Sequence, residues 1–194
     1  MRKTPVTLGV LSMVFGGLVA AYSAAGIALS SFSGTFLGNL GALARRAPQR
    51  PGEPDPAVLF SRIGEMTREL APYNNALLAG KVLFSLALVA IGYGLYKRQR
   101  WGRSGALAWS VLALLYLGAE LIVRIGVIQP RMDEMLRHLF SSMPDGALDA
   151  AKVQALGNTQ GAVAVIMSLV FYAPFPILLL ALCGRRSAAA DFID

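Results

Sequence analysis

Three ionisable residues interrupt strongly apolar stretches of this sequence: Lys81, Glu120 and Arg124. Glu120 and Arg124 lie four positions apart with the acid first, an order that favours an ion pair on one face of a helix. Charges in hydrocarbon are energetically costly, and they usually pair with one another or face a wet cavity. We therefore treat the three residues as a candidate intramembrane charge cluster. Its chemistry would be structural pairing, contact with a partner, or an ion or proton path.

Four apolar segments must position these charges, approximately residues 5–31, 76–96, 105–128 and 161–183. Each reaches the length of about 20 helical residues that crosses a hydrocarbon core of roughly 30 Å. The hydrophobic fraction of 55% and the mean hydropathy of +0.55 also lie outside the usual range of soluble proteins. These properties predict an all-α membrane protein, a single domain over residues 1–194 built on four transmembrane helices.

The first apolar segment allows two interpretations. Arg2 and Lys3 precede it and a stretch of small residues follows, as in a cleaved signal peptide. The apolar run continues to about Leu29, which favours a retained transmembrane helix. Small residues also recur in it every four positions, a pattern that lets helix backbones approach closely, either within the chain or with a partner. This candidate helix-packing face comprises Ser12, Gly16, Ala20, Ala24 and Ala28.

The stretch YKRQRWGRS, between the second and third segments, predicts the orientation of the chain. It contributes the basic topology determinants Lys97, Arg98, Arg100 and Arg103. Further basic residues lie at both ends of the chain, and short basic segments stay on the cytoplasmic side. We expect a multi-pass protein of the bacterial inner membrane with both termini cytoplasmic. The net charge of +7 would favour nucleic acid in a soluble protein. Because these charges flank apolar segments, the expected partner is the lipid bilayer, and no nucleic acid.

The two longer connections, residues 32–75 and 129–160, have nearly balanced charge, as translocated loops tolerate. Apolar residues recur in both at helical spacing. In the first connection, Asp55 is placed to cap a helix that begins at Pro56. The pattern predicts two long extracytoplasmic hairpin loops that form a small helical cap.

Few residues are suited to catalysis or to a cofactor. A single cysteine, Cys183, and a single histidine, His138, do not allow an internal disulfide, a Cys/His zinc cluster or a bis-histidine haem within one chain. Pro174 and Pro176 remove two backbone donors from the fourth segment and predict a kink there. We expect no cofactor and no enzymatic activity.

The turn and its flanks, YKRQRWGRSGALAW, resemble those of small four-span bacterial inner-membrane proteins of uncharacterised families. In such proteins a second span ends in basic residues and a Trp-x-Arg step opens the third. The resemblance covers roughly Gly80 to Trp109, implies a four-helix membrane fold, and carries over no catalytic residue. Three functions stay open: an accessory or scaffold subunit of a membrane assembly or homo-oligomer, a transporter or channel component that uses the charge cluster, and a sensor of a periplasmic ligand.

Overall fold

The computed structural model describes residues 4–44, 56–141, 162–163 and 165–185, and the elements among them are helical. Four helices are long and apolar enough to cross a membrane, which confirms the predicted all-α class with four apolar helices. These are the properties of a multi-pass helical protein in contact with a lipid bilayer. The four helices are Thr4–Ala44, Phe60–Tyr96, Arg100–Arg137 and Val165–Cys183.

The helices continue well beyond the apolar segments. Helix α1, Thr4–Ala44, and helix α2, Pro56–Tyr96, each have 41 residues. At about 1.5 Å per residue each is roughly 60 Å long, about twice the thickness of a hydrocarbon core. Helix α2 begins at Pro56, as predicted, and continues through Pro72. The predicted cap Asp55 lies outside the described residues.

The third apolar helix changes its winding near its end. Helix α3, Arg100–Val123, leads into a π-helical turn, Arg124–Ile128, and then into helix α4, Gln129–Ser141. In the fourth apolar segment, residues 165–172 are helical and helix α5, Pro174–Cys183, follows after Ala173. Among the described residues, helical structure thus continues from the first three apolar segments into the ranges predicted as outer connections.

The chain divides into two compact units. The first unit comprises Met1–Ala25, Leu77–Leu121 and Ile166–Asp194, and the second comprises Gly26–Ala76 and Ile122–Val165. In the first unit, each apolar segment contributes about 20 residues, the length that crosses a bilayer. The second unit takes in the ranges predicted as outer connections, residues 32–75 and 129–160.

The first unit has polar groups inside and large apolar groups outside. Exposed leucines such as Leu18, Leu83 and Leu115 lie on its surface. This distribution is the reverse of that in soluble proteins and is typical of membrane proteins, whose outer surface faces lipid. The buried apolar cluster consists of Leu8, Leu88, Leu95, Ala106, Trp109, Leu179 and Cys183. The buried polar side chains are Ser12, Ser23, Lys81, Ser85, Ser110, Glu120 and Ser168.

In the second unit, the later half of α1 packs antiparallel to the earlier half of α2. A Cβ at Gly41 would lie 3.6 Å from atoms of Ala57 and Phe60, and the Ser30 hydroxyl donates to Asn75 Oδ1 over 2.5 Å. Helix α4 contacts α2 through Arg131. Arg131 Nη1 donates to the hydroxyl of Tyr73 over 2.7 Å, and the guanidinium carbon lies 4.9 Å from the centre of the Tyr73 ring.

The turn between α2 and α3 is a Schellman motif. The backbone N–H of Gln99 donates to the carbonyl of Gly94 over 2.9 Å, and that of Arg98 donates to Leu95 over 3.0 Å. The central position of this motif is left-handed, and Arg98 occupies it with a φ of 57°. Glycine is the usual residue there because a side chain clashes with the following carbonyl.

We expect Arg98→Gly to raise the free energy of unfolding by about 1 kcal/mol, since the left-handed conformation costs a side-chain-bearing residue roughly that much. Chemical unfolding in detergent micelles, followed by tryptophan fluorescence, would measure the change. Lys97→Gly is the matched control, because Lys97 has no positive φ and should gain nothing. Equal unfolding midpoints for Arg98→Gly and the wild type would contradict this account of the turn.

Candidate functional site

An ion pair is buried inside the first unit. Lys81 of α2 and Glu120 of α3 approach to 2.8 Å between Nζ and Oε1, and their side chains are only 9% and 0% exposed. The Lys81 ammonium also lies 4.3 Å from the centre of the Tyr172 ring. The cation therefore lies between a carboxylate and an aromatic face, two groups that both stabilise a desolvated positive charge.

Two residues of the predicted charge cluster, Lys81 and Glu120, form an ion pair. Arg124 is half-buried and begins the π-helical turn. Tyr172 also contacts Lys81, and sequence reasoning missed it. An aromatic residue in an apolar segment is unremarkable by itself. Only the approach of the fourth apolar segment to α2 reveals its role.

A cavity of about 50 Å³ adjoins the ion pair. All four apolar segments line it, with Phe15 from α1, Ser85 from α2, Glu120 from α3 and Pro176 from α5 among the lining residues. This volume exceeds the roughly 10–15 Å³ that one water requires. It lies far below the approximately 300–1,000 Å³ of pockets that bind metabolites or drugs. The site has room for water and for little else.

Two aromatic side chains fix the register of α3 on α2. Trp109 Nε1 donates to the carbonyl of Phe84 over 2.8 Å, and the hydroxyl of Tyr116 donates to the carbonyl of Leu77. Donors and acceptors are each seven positions apart, so both bonds lie along one helix–helix seam. Gly80 makes room for the Tyr116 ring, because a Cβ there would come within 2.6 Å of its hydroxyl. These bonds hold α2 and α3 in the register that places Lys81 opposite Glu120.

The predicted kink residues lie next to the site. The helix of residues 165–172 is interrupted at Ala173, and α5 begins with Pro174 at its first position. Pro176 is buried and lines the cavity. Because proline has no N–H, the carbonyls of Val170 and Tyr172 lose their usual donors four residues ahead. The neighbouring Phe175 ring stacks on Phe15 of α1 with centres 4.5 Å apart.

The row of small residues on α1 serves two different surfaces. Ser12 and Gly16 are buried, Ala20 is half-buried, and Ala24 and Ala28 are exposed. A spacing of four residues turns the helix by about 400°, so a row with this spacing drifts by roughly 40° at each step. Gly9, Gly16 and Ser23 are all buried and are seven positions apart. A row with this spacing moves around the helix by only about 20° at each step, so it stays on one face.

The first half of α1 packs closely on α2 through this buried row. A Cβ at Gly9 would lie 2.5 Å from the backbone nitrogen of Tyr96, and one at Gly16 would lie 2.8 Å from the carbonyl oxygen of Ser85. Ser12 Oγ and Ser23 Oγ are buried and have no hydrogen-bond partner among the described residues. Only small side chains allow so close an approach of the two helices.

The four topology determinants lie in the turn between α2 and α3 and in the first turn of α3. Lys97 and Arg98 lie in the turn, and Arg100 begins α3. Arg103 donates from Nε to the carbonyl of Cys183 over 2.9 Å, at the last residue of α5. A cation at a helix C-terminus satisfies an open carbonyl and opposes the negative end of the helix dipole. Arg103 thus has a structural role that the sequence did not indicate.

No family model, curated protein or solved structure matches this chain. The resemblance around Gly80 to Trp109 stays a prediction. Within residues 4–44, 56–141, 162–163 and 165–185, no group of three or more His, Cys, Asp or Glu residues could hold a metal ion.

Proposed function

We propose that this chain is a noncatalytic integral membrane protein, an accessory or scaffold subunit that associates with copies of itself or with other membrane proteins. The observation that carries the proposal is an uncovered face of α1, here called the open small face, made of Gly17, Ala21, Ala24 and Ala28. All four residues are exposed, and a Cβ at Gly17 would meet nothing within 4 Å. Their spacing of four, three and four residues keeps them on one side of the helix.

Small residues on a lipid-exposed helix favour association, because helices in a bilayer attract one another through close packing and not through the hydrophobic effect. Gly17 and Ala21, and again Ala24 and Ala28, form two small-xxx-small pairs on this face. The chain's own packing uses a different row, Gly9, Gly16 and Ser23, which lies roughly 110° around the helix from the open small face. The open small face is therefore available to a second helix.

The charge balance and the small size of the Lys81–Glu120 site support a structural role for it. Lys81 and Glu120 neutralise each other, and the adjoining cavity of about 50 Å³ is too small for a metabolite. We assign the first unit to the bilayer of a bacterial inner membrane, and the second unit to the predicted extracytoplasmic helical cap. The basic turn and both termini then lie on the cytoplasmic side. This topology rests on the lengths of the apolar pieces and on the basic residues of the turn.

Association is tested by enlarging one residue of the open small face. We expect the wild-type protein to purify from a mild detergent as an oligomer or with a membrane partner. Ala24→Leu should weaken that association about fivefold or more, because a helix pair that excludes lipid by close packing loses on the order of 1 kcal/mol when spread apart. Multi-angle light scattering and cross-linking would measure the assembly.

Ala181→Leu is the control. Ala181 is exposed as well but lies on α5, away from the open small face of α1. A wild-type protein that is monomeric and free of partners in mild detergent would refute the proposal. Equal association of the Ala24→Leu and Ala181→Leu variants would assign the contact to another surface.

A second candidate function, a transporter or channel component, is favoured by one observation. The Lys81–Glu120 pair adjoins a cavity large enough for water, and intramembrane charges beside water are common features of ion and proton paths. Tyr172 and Pro176, at the interrupted fourth segment, line the same cavity. A transporter or channel component needs the charged side chains of Lys81 and Glu120 for transport. A scaffold needs only that neither charge is left buried without the other.

A further inference from the structure

The ion pair in the first unit holds a primary alkylammonium ion, which is the end of the Lys81 side chain. Its Nζ lies 2.8 Å from Glu120 Oε1 and 4.3 Å from the centre of the Tyr172 ring. A carboxylate and an aromatic face are two groups that attract an organic ammonium ion. Glu120 is 1% exposed, and the attraction between charges is stronger away from bulk water. The geometry is therefore that of an ammonium site whose occupant belongs to the chain itself.

The walls of the adjoining cavity suit the carbon part of such an ion. Lys81, Glu120 and Tyr172 all line this cavity, whose surface is mainly carbon. The other aromatic side chains that line it are Phe15, Phe84, Trp109 and Tyr116. A metal cation needs several oxygen ligands to replace its water shell, and carbon walls do not supply them. An alkyl group, by contrast, gains free energy when it leaves water. The cavity thus favours an organic ammonium ion over a metal ion.

The available space sets the size of the ion. The cavity of about 50 Å³ is too small by itself for an organic ligand. The Lys81 side chain fills the space beside it with a carbon stem and an ammonium group. When that stem is shortened to Cβ, as in alanine, the vacated space matches a propylammonium ion and is continuous with the cavity. The site therefore fits a primary ammonium ion with a short alkyl chain.

We infer that the Glu120 carboxylate, the Tyr172 ring and this cavity form a binding site for short alkylammonium ions, with Lys81 as the tethered occupant. A group on a short flexible tether competes at an effective concentration in the millimolar range. A free alkylammonium ion must therefore displace the Lys81 ammonium before it can bind. The inference concerns binding inside the first unit. It can fail or hold independently of association through the open small face and of any ion flux.

The full-length Lys81→Ala variant in mild detergent provides the test. It is titrated with propylammonium chloride, with sodium chloride added to keep the ionic strength constant, and its unfolding temperature is followed by tryptophan fluorescence. We expect a saturable rise in unfolding temperature at millimolar propylammonium, because a ligand that binds only the folded state stabilises it. The neutral isostere 1-propanol should need at least about tenfold higher concentrations, since it brings no charge to the carboxylate.

Three further proteins locate the binding. Lys81→Met removes the charge but keeps the space filled, so its unfolding temperature should not respond to propylammonium. The wild type should need at least about tenfold more propylammonium than Lys81→Ala, because the tethered ammonium competes. Lys81→Ala combined with Glu120→Gln should lose the response. Equal responses of Lys81→Ala and Lys81→Met, of Lys81→Ala and the wild type, or of propylammonium and 1-propanol would each overturn the inference, as would a response that survives Glu120→Gln.

The test also covers a variant that does not fold on its own. If Lys81→Ala cannot be purified in sodium chloride alone, solubilisation and purification in propylammonium chloride should recover it as folded protein. Recovery in propylammonium and not in 1-propanol would support the site. A variant that is unfolded in both would show that the free ion does not replace the Lys81 side chain, and the inference would be wrong.

Discussion

Lys81→Met is expected to lower the free energy of unfolding by about 3–5 kcal/mol, because it removes the ammonium that lies 2.8 Å from the buried Glu120 carboxylate. Glu120 is 1% exposed and cannot recover contact with water without a large rearrangement. The methionine side chain is one atom shorter than that of lysine but close to it in volume, so a packing defect contributes little. Detergent-based unfolding monitored by tryptophan fluorescence would give the difference between the variant and the wild type.

The matched experiment removes both charges. Lys81→Met combined with Glu120→Leu should recover most of the lost stability, since exchanging a whole buried ion pair for apolar side chains is often neutral or stabilising. Arg62→Met, at an exposed position of the same helix, should change the free energy of unfolding by no more than about 0.5 kcal/mol. A double variant as unstable as Lys81→Met alone would show that the two residues do not act as a pair.

The double variant also separates the two candidate functions. A scaffold should keep its assembly when Lys81 and Glu120 are replaced together, because the helices remain packed and the open small face is untouched. A transporter or channel component should remain folded but should no longer conduct ions or protons across the membrane of proteoliposomes. If the double variant keeps its assembly but loses the ion or proton flux, the scaffold function is wrong and the transporter or channel function is supported.

The sequence was sufficient for the helical class and for the candidate charges. Runs of about 20 apolar residues predict spanning helices because the bilayer imposes one length on all of them. Lys81 and Glu120 were recognisable because a charge within such a run needs a partner. Pro56 marked the start of α2 because its ring suits the first helical position.

The sequence was insufficient where the outcome depends on how the helices pack. Tyr172 could not be recognised as a neighbour of Lys81 without the fold, because it is an ordinary aromatic residue of an apolar segment. The buried row Gly9, Gly16 and Ser23 was not recognised in the sequence, because Gly16 also belongs to the more obvious row of small residues four positions apart. Nothing in the sequence relates Arg103 to the end of α5, because 80 positions separate it from Cys183.

Gly9→Ala should destabilise the first unit by about 2 kcal/mol or more, although alanine is the better helix former by nearly 1 kcal/mol. The new Cβ would lie 2.5 Å from the backbone nitrogen of Tyr96 and 2.6 Å from the carbonyl oxygen of Gly92. Backbone atoms cannot rotate away as the end of a side chain can, so α1 and α2 must separate. Unfolding in detergent micelles would measure the cost.

Gly118→Ala on α3 is the control, because a Cβ there meets nothing within 4 Å and the variant should be as stable as the wild type or slightly more stable. Gly92→Ala provides an independent check from the α2 side, since its Cβ would lie 2.8 Å from the carbonyl oxygen of Gly9. Once one alanine has separated the helices, the second finds space. The double variant Gly9→Ala with Gly92→Ala should therefore lose clearly less stability than the two single losses added together. Additive losses would mean that the two glycines do not share one contact, and that α1 and α2 approach each other differently.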